Sequence, residues 1–415
     1  MVLTVAAAGA ATLILRPRSG LIEPAAIDPQ AYFSAAELER AGDFRGVQRL
    51  IGMGSLALSA GTLAILALRP PARVERILAR AGARPVIGGA LAGAGLSLVL
   101  VAAQLPLSLW AHERAVDVGL STQSLGPWLG DVALSAGIGA LFSAIGGAVA
   151  VALIRRFPRR WWIPGSAAVV GFAVVVLYLS PVLIDPLFNR FEPLPRGELR
   201  SEVLGLAERA DVDVGEVYRI DASRRTTAIN AYVGGLGATK RVVLYDNLID
   251  DFPPEQVRSV VAHELAHVKN HDVPKGILWV AIVAPFGVLL VQRLTEGMTS
   301  SGGTAPLRGP PGLGRRLGRG EAGPALLPAL ALSLAVVSFG LTAAGNALSR
   351  PVEARADAFA LELTGESGAF IELERRLALR NVSDPDPPAF FHTLFGTHPT
   401  TVERIGFGEA FSEAR

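Results

Sequence analysis

Apolar residues in this chain fall in long unbroken runs rather than in two-residue alternation or helical stripes. Seven stretches qualify as membrane spans: residues 2–15, 51–68, 86–110, 132–154, 161–184, 277–291 and 325–348. A helix needs roughly 20 apolar residues to cross a bilayer core. The third, fourth, fifth and seventh runs reach that length, and the first and sixth fall short of it. The first also has the length of a signal-peptide core, but it lacks a basic leading segment and a clear cleavage site. Gly and Ala are frequent in the runs, which permits close helix approach. Trp110, Trp128, Trp161 and Trp162 sit at or near run ends, where interfacial anchors belong.

Between the runs lie two polar segments, 186–275 and 349–415. Residues 299–324, rich in Gly, Pro and Arg, read as a flexible loop. The pattern predicts a mostly α, polytopic seven-helix membrane protein. Residues 1–185 form a membrane domain with five spans, and 186–415 form an α+β domain containing the last two. Residues 226–235 lead to 241–245, both rich in β-branched and aromatic residues with Gly between, and predict a small β-hairpin. An edge strand there can receive an extended peptide, with Asn230 hydrogen-bonding its backbone; Asn230 also suits a plain turn.

Composition agrees. Half of the 415 residues are hydrophobic and mean hydropathy is +0.40, too apolar for an ordinary soluble domain. A lipid bilayer is therefore a partner, and the net charge of +2 argues against nucleic acid. The alanine- and arginine-rich usage suggests a bacterial plasma membrane. Arginines gather in the loops after spans two, four and six, among them Arg73, Arg76, Arg155, Arg156, Arg315 and Arg316. That asymmetry places those loops in the cytoplasm and the polar segments outside.

With no cysteine, thiolate metal sites and disulfides are excluded. Five of the six histidines lie in the C-terminal part of the chain, and His263-Glu264-Leu265-Ala266-His267 is the densest chemistry there. On a helix the two histidines stand one turn apart on one face. They can share one Zn²⁺ while Glu264 serves as general base toward water. A buried helix with hydrogen-bonded histidines has the same pattern. Pro253-Pro254-Glu255 opens this helix, Asp250 and Asp251 are cap candidates, and it runs to about Asn270. A catalytic zinc site wants a third protein ligand. Glu353 is the best candidate, and Asp357, four residues on, can hydrogen-bond a ligand histidine. An acidic pair on a surface helix beside Arg350 and Arg355 reads the same way. Thr397 or Thr400 can cap a last helix, and His398 or Arg404 can stabilise an oxyanion; a surface helix with an incidental histidine is the plain alternative. His271 and His392 read as non-ligands.

Several blocks, in this order, resemble the integral-membrane zinc metallopeptidases typified by the type I CAAX prenyl protease, and more distantly HtpX-like proteases. They are Gly119-Leu120-Ser121-Thr122-Gln123 with Trp128 and Asp131, Pro186-Leu187-Phe188-Asn189, Asn230-Ala231-Tyr232, residues 240–246, the His263–His267 motif, Ser349-Arg350 with Glu353 and Asp357, and His398-Pro399 with Glu403-Arg404. The resemblance implies a zincin-like metallopeptidase domain with one Zn²⁺ per chain on His263, His267 and Glu353. It implies Glu264 as base, Asn230, Ala231, His398 and Arg404 as substrate or transition-state contacts, and a peptide or protein substrate. It also implies a cytosolic catalytic side, against the arginine asymmetry. Pro351 departs from the pattern and predicts a kink or restart before Glu353. Within this reading, a quality-control protease for damaged membrane proteins is a rival, and a catalytically silent chamber or scaffold protein is a second. The sequence is silent on oligomeric state.

Overall fold

The protein is described as a computed structural model covering residues 1–234, 240–301 and 323–415, without the side chains of 300 and 301. Most of the flexible loop expected over 299–324 lies outside the described residues.

Five of the seven apolar runs belong to helices longer than themselves, the first and fifth being the exceptions. Helix α1 (Val2–Leu15) is short, about 21 Å. It is built into the bundle: Thr4 donates to the Phe286 carbonyl, Thr12 to that of Ala344, and Trp279 donates its indole N–H to Thr12. Helix α2 (Ala35–Leu68) begins well before its apolar run, with a capping box between Ser34 and Glu37. Its polar first half lies against the C-terminal unit, where Arg45 donates to the Val382 carbonyl at 2.7 Å and Arg49 pairs with Asp384. After the amphipathic α3 (Ala72–Ala81) come α4 (Pro85–Asp117) and α5 (Leu125–Arg156). These two cross at near-backbone contact, so that a Cβ on Gly93 would sit 2.1 Å from the Ser143 carbonyl oxygen. Helix α6 (Trp162–Leu179) widens into a π-helical turn at Ser180–Ile184 and ends in the single turn α7 (Asp185–Phe188).

A four-stranded mixed sheet follows: β1 (Phe191–Pro193), β2 (Glu216–Ile220), β3 (Ala231–Gly234) and β4 (Arg241–Tyr245), ordered β1-β2-β4-β3. The expected hairpin is its β3–β4 edge, antiparallel with Ala231 opposite Leu244. Strands β1 and β2 escaped the sequence reading because neither shows a clean alternation. Helix α8 (Glu198–Arg209) and the short α9 (Asp246–Asp251) flank α10 (Pro254–Lys269), and one core joins them. Val203, Leu206, Val217, Leu244, Val261 and Leu265 are almost fully buried in it.

Helix α11 (Asp272–Ser301) leaves this unit and α12 (Leu327–Thr364) returns to it. About 57 Å long, α12 carries the last apolar run at one end and Glu353 and Asp357 at the other. It passes Pro351 without a break, so the expected restart is corrected. Pro351 and Ala347, whose carbonyl would have received the missing N–H, both line an open groove that leaves the ring space. Helices α13 (Ser367–Arg380), α14 (Ala389–Phe395) and α15 (Thr401–Glu413) complete the chain. Six of these helices are long and apolar enough to cross a membrane, and α1 is the shorter seventh.

Candidate metal and catalytic site

Helix α10 is held rigid where it matters. Pro254 occupies its first turn, and Val257, Val261 and Leu265 bury one face against the sheet. No side chain caps its start: Asp250 pairs with Arg219 and Asp251 with Arg380 instead, so those two cap assignments are corrected. Asn270 ends the helix, and His271 turns the chain in the left-handed region at φ 55°, away from the histidine pair.

The neighbouring face carries His263, Glu264 and His267. Nε2 of His263 lies 3.3 Å from Nε2 of His267 and 3.2 Å from Oε2 of Glu353 on α12, and His267 Nε2 lies 3.6 Å from the same oxygen. Tetrahedral ligands held at about 2.0–2.1 Å from zinc stand roughly 3.3–3.4 Å apart, so these three atoms already have the spacing of three corners around one ion. The other ring nitrogen of each histidine is anchored. His263 Nδ1 meets Asp357 Oδ1 at 2.8 Å, and His267 Nδ1 meets Asp272 Oδ2 at 3.0 Å. Carboxylates behind both rings fix the tautomer that turns Nε2 inward. Burial works against charge on His263 and His267, but Asp357, Asp272 and Glu353 outweigh it, pushing the imidazoles up to about 10 and about 9. A site that draws positive charge so strongly onto these nitrogens fits a divalent cation. Among the described residues, only these three form such a cluster.

Glu264 sits beside the pair. Burial pushes its carboxyl above the ordinary carboxylate range, and the two histidines pull it back. His398, in the loop before α15, brings Nε2 to 3.2 Å from Glu353 Oε2 while staying largely exposed on the open side. Thr400 caps α15 through a capping box with Glu403. Arg404 is placed differently from the expectation of an oxyanion contact. Its Nε and Nη2 donate to the two oxygens of Asp357, at 2.8 and 2.5 Å, and Nη1 to Glu374 at 2.8 Å. Every guanidinium nitrogen is taken by a carboxylate, which ties Arg404 to Asp357 and, through it, to His263. Glu374 is almost fully buried, and burial pushes its carboxyl up to about 7 despite Arg404.

Asn230 is exposed at the start of edge strand β3, its Oδ1 accepting from the Ala231 N–H at 2.9 Å. The Ala231 side chain is buried in the core, so only its backbone is available to a ligand. The structure adds positioning contacts from Asp272, Arg350 and His392. Asp272 opens α11, five residues after His267, and holds both that histidine and Arg355, at 2.6 Å. An acid directly after the helix-ending turn was the available signal. Arg350 donates to the carbonyls of His392, Thr393 and Gly396, and His392 Nε2 meets the His398 carbonyl at 2.9 Å. These contacts tie the His398 loop to the ligand helix, and only the fold reveals them.

Residues 193–408 match the sequence profile of peptidase family M48, and residues 43–190 match that of the CAAX prenyl protease N-terminal region with its five membrane helices. An uncharacterized metalloprotease of Bacillus subtilis is 32% identical over 321 residues, 76% of this chain and 71% of that one. The CAAX prenyl protease 1 homolog of Arabidopsis thaliana is 33% identical over 56% of this chain and 52% of its own length. For CAAX prenyl protease 1 of Saccharomyces cerevisiae the figures are 33%, 43% and 40%, so the chain aligns with about half or less of these two. The crystal structure of Ste24p from S. mikatae superposes with a TM-score of 0.75, covering 97% of this chain and 96% of that one at 18% identity, a likeness of fold. With its zincin-like helix, its membrane helices and these matches, the chain is a membrane metallopeptidase that belongs to peptidase family M48.

Proposed function

We propose that the chain is a zinc-dependent endopeptidase of a bacterial plasma membrane, with His263, His267 and Glu353 as the metal ligands. The observation that carries this is the spacing of three inward-facing ligand atoms, each ring backed by its own carboxylate. Zinc bound there supplies Lewis acidity, which lowers the pKa of an attacking water and polarises the scissile carbonyl. Glu264 takes the proton from that water and returns it to the leaving amine, and burial, which raises its carboxyl above the ordinary carboxylate range, makes it a stronger base for the first task. His398, on the open side, donates to the developing oxyanion. Arg404 and Asp357 hold His263 in position. An extended substrate adds to the free edge of β3, with Asn230 contacting its backbone. The plant and yeast relatives are named for CAAX prenyl proteolysis, and C-terminal processing of a peptide presented at the membrane is the proposed substrate class.

Purified protein treated with a strong chelator should lose cleavage of a fluorogenic peptide, and added Zn²⁺ should restore it. Undiminished cleavage after complete metal removal would refute zinc dependence. Membrane sidedness has its own test, since the chain has no cysteine. Cysteines placed singly at the exposed Glu208 and Ser412 should respond alike to an impermeant thiol reagent in intact cells. Labelling of both is the result implied by the arginine asymmetry, and protection of both is the one implied by the family resemblance. Labelling of one alone would contradict a single catalytic unit.

A further inference from the structure

A groove of about 680 Å³ runs between α1 and α12, within the range of small-molecule sites. On α12 it is lined by Ala344, Ala347 and Pro351, and on α1 by Gly9 and Leu13. The small residues keep it open. It is not part of the catalytic site: at 3.6 residues per turn, Ala344, Ala347 and Pro351 lie about 120–180° around the helix from Glu353. The α12 stripe that lines the groove therefore faces away from the metal ligands. Leu13 is 56% exposed there, as a side chain facing hydrocarbon is.

Two exposed arginines, Arg16 and Arg18, line the same groove where the apolar helix gives way to the polar segment. Neither has an ion pair or side-chain hydrogen bond among the described residues. An apolar trough beginning at headgroup depth under two unpartnered cations matches one kind of occupant, an anionic amphiphile from the bilayer. We propose that this groove is a binding site for one anionic phospholipid, its acyl chain along Ala344 and Ala347 and its phosphate between Arg16 and Arg18. A substrate carboxylate is disfavoured because the groove and the ligand-bearing face of α12 point in opposite directions.

The test is native mass spectrometry of the full chain in mild detergent, titrated with dioleoyl phosphatidylglycerol or dioleoyl phosphatidylcholine. The wild type should bind one phosphatidylglycerol per chain ahead of further, weaker ones, and prefer it to phosphatidylcholine. The double variant R16Q/R18Q should bind it about 30-fold more weakly, the scale expected from two interfacial arginines. Ala347→Phe, which fills the trough and keeps both arginines, should abolish the first site as well. Ala347→Leu replaces it if the larger side chain prevents folding, and all variants should keep peptide cleavage. Equal binding by wild type and R16Q/R18Q would overturn the proposal. So would loss in R16Q/R18Q with full binding in the trough-filling variant, because attraction would then be to surface charge alone.

Discussion

Glu264→Gln should leave the fold and the bound metal intact and reduce peptide cleavage by about 10²–10⁴-fold, the usual weight of general-base assistance. The amide has nearly the same shape but cannot accept a proton from water. Among the described residues Glu264 makes no side-chain hydrogen bond or ion pair, so the helix loses no partner that holds it in place. The ligand nitrogens and their carboxylate anchors are untouched by the change. Steady-state cleavage beside elemental analysis of the same preparation checks this. Near-normal turnover in a metal-loaded Glu264→Gln protein would mean that another group is the base.

Asp357 should be the most costly single position behind the ligands. Its two oxygens are fully buried, shared between His263 and the doubly bonded Arg404 guanidinium. Asp357→Ala leaves Arg404 buried with Glu374 as its remaining carboxylate partner, and it frees the His263 ring to rotate. Breaking a buried pair by removing one partner costs about 3–5 kcal/mol. Losing the carboxylate behind a ligand histidine costs about 10–100-fold in metal affinity. Thermal unfolding in detergent should show the first effect, and a chelator competition with Asp357→Asn, which keeps the shape, should show the second. Wild-type metal affinity in Asp357→Asn would remove it from the site.

What the sequence revealed follows the range of the interactions concerned. The His263–His267 pair, the Thr397 or Thr400 cap choice that resolves to Thr400, and the apolar runs are local patterns, legible from spacing alone. Helix lengths were not. The polar first half of α2 looks like a loop until Arg45 and Arg49 find the C-terminal unit. Pro351 reads as a breaker because sequence shows the missing N–H and not the open groove beside it. Asp250 and Asp251 looked like caps, yet partners distant in sequence, Arg219 and Arg380, claimed them. The family resemblance implies a substrate or transition-state contact for Arg404, and the sequence carries no sign of its carboxylate partners. Only the packed structure shows Asp357 and Glu374 engaging all three of its nitrogens. Residues whose task is to hold another residue, such as Asp272 and Arg350, leave no spacing signature because their partners are set by tertiary contact.

Metal content tests the central claim most directly. Elemental analysis of the purified wild type should find about one zinc per chain, and Glu353→Ala should reduce that to a small fraction while His271→Ala leaves it unchanged. Full zinc occupancy in Glu353→Ala would contradict the three-ligand site on α10 and α12.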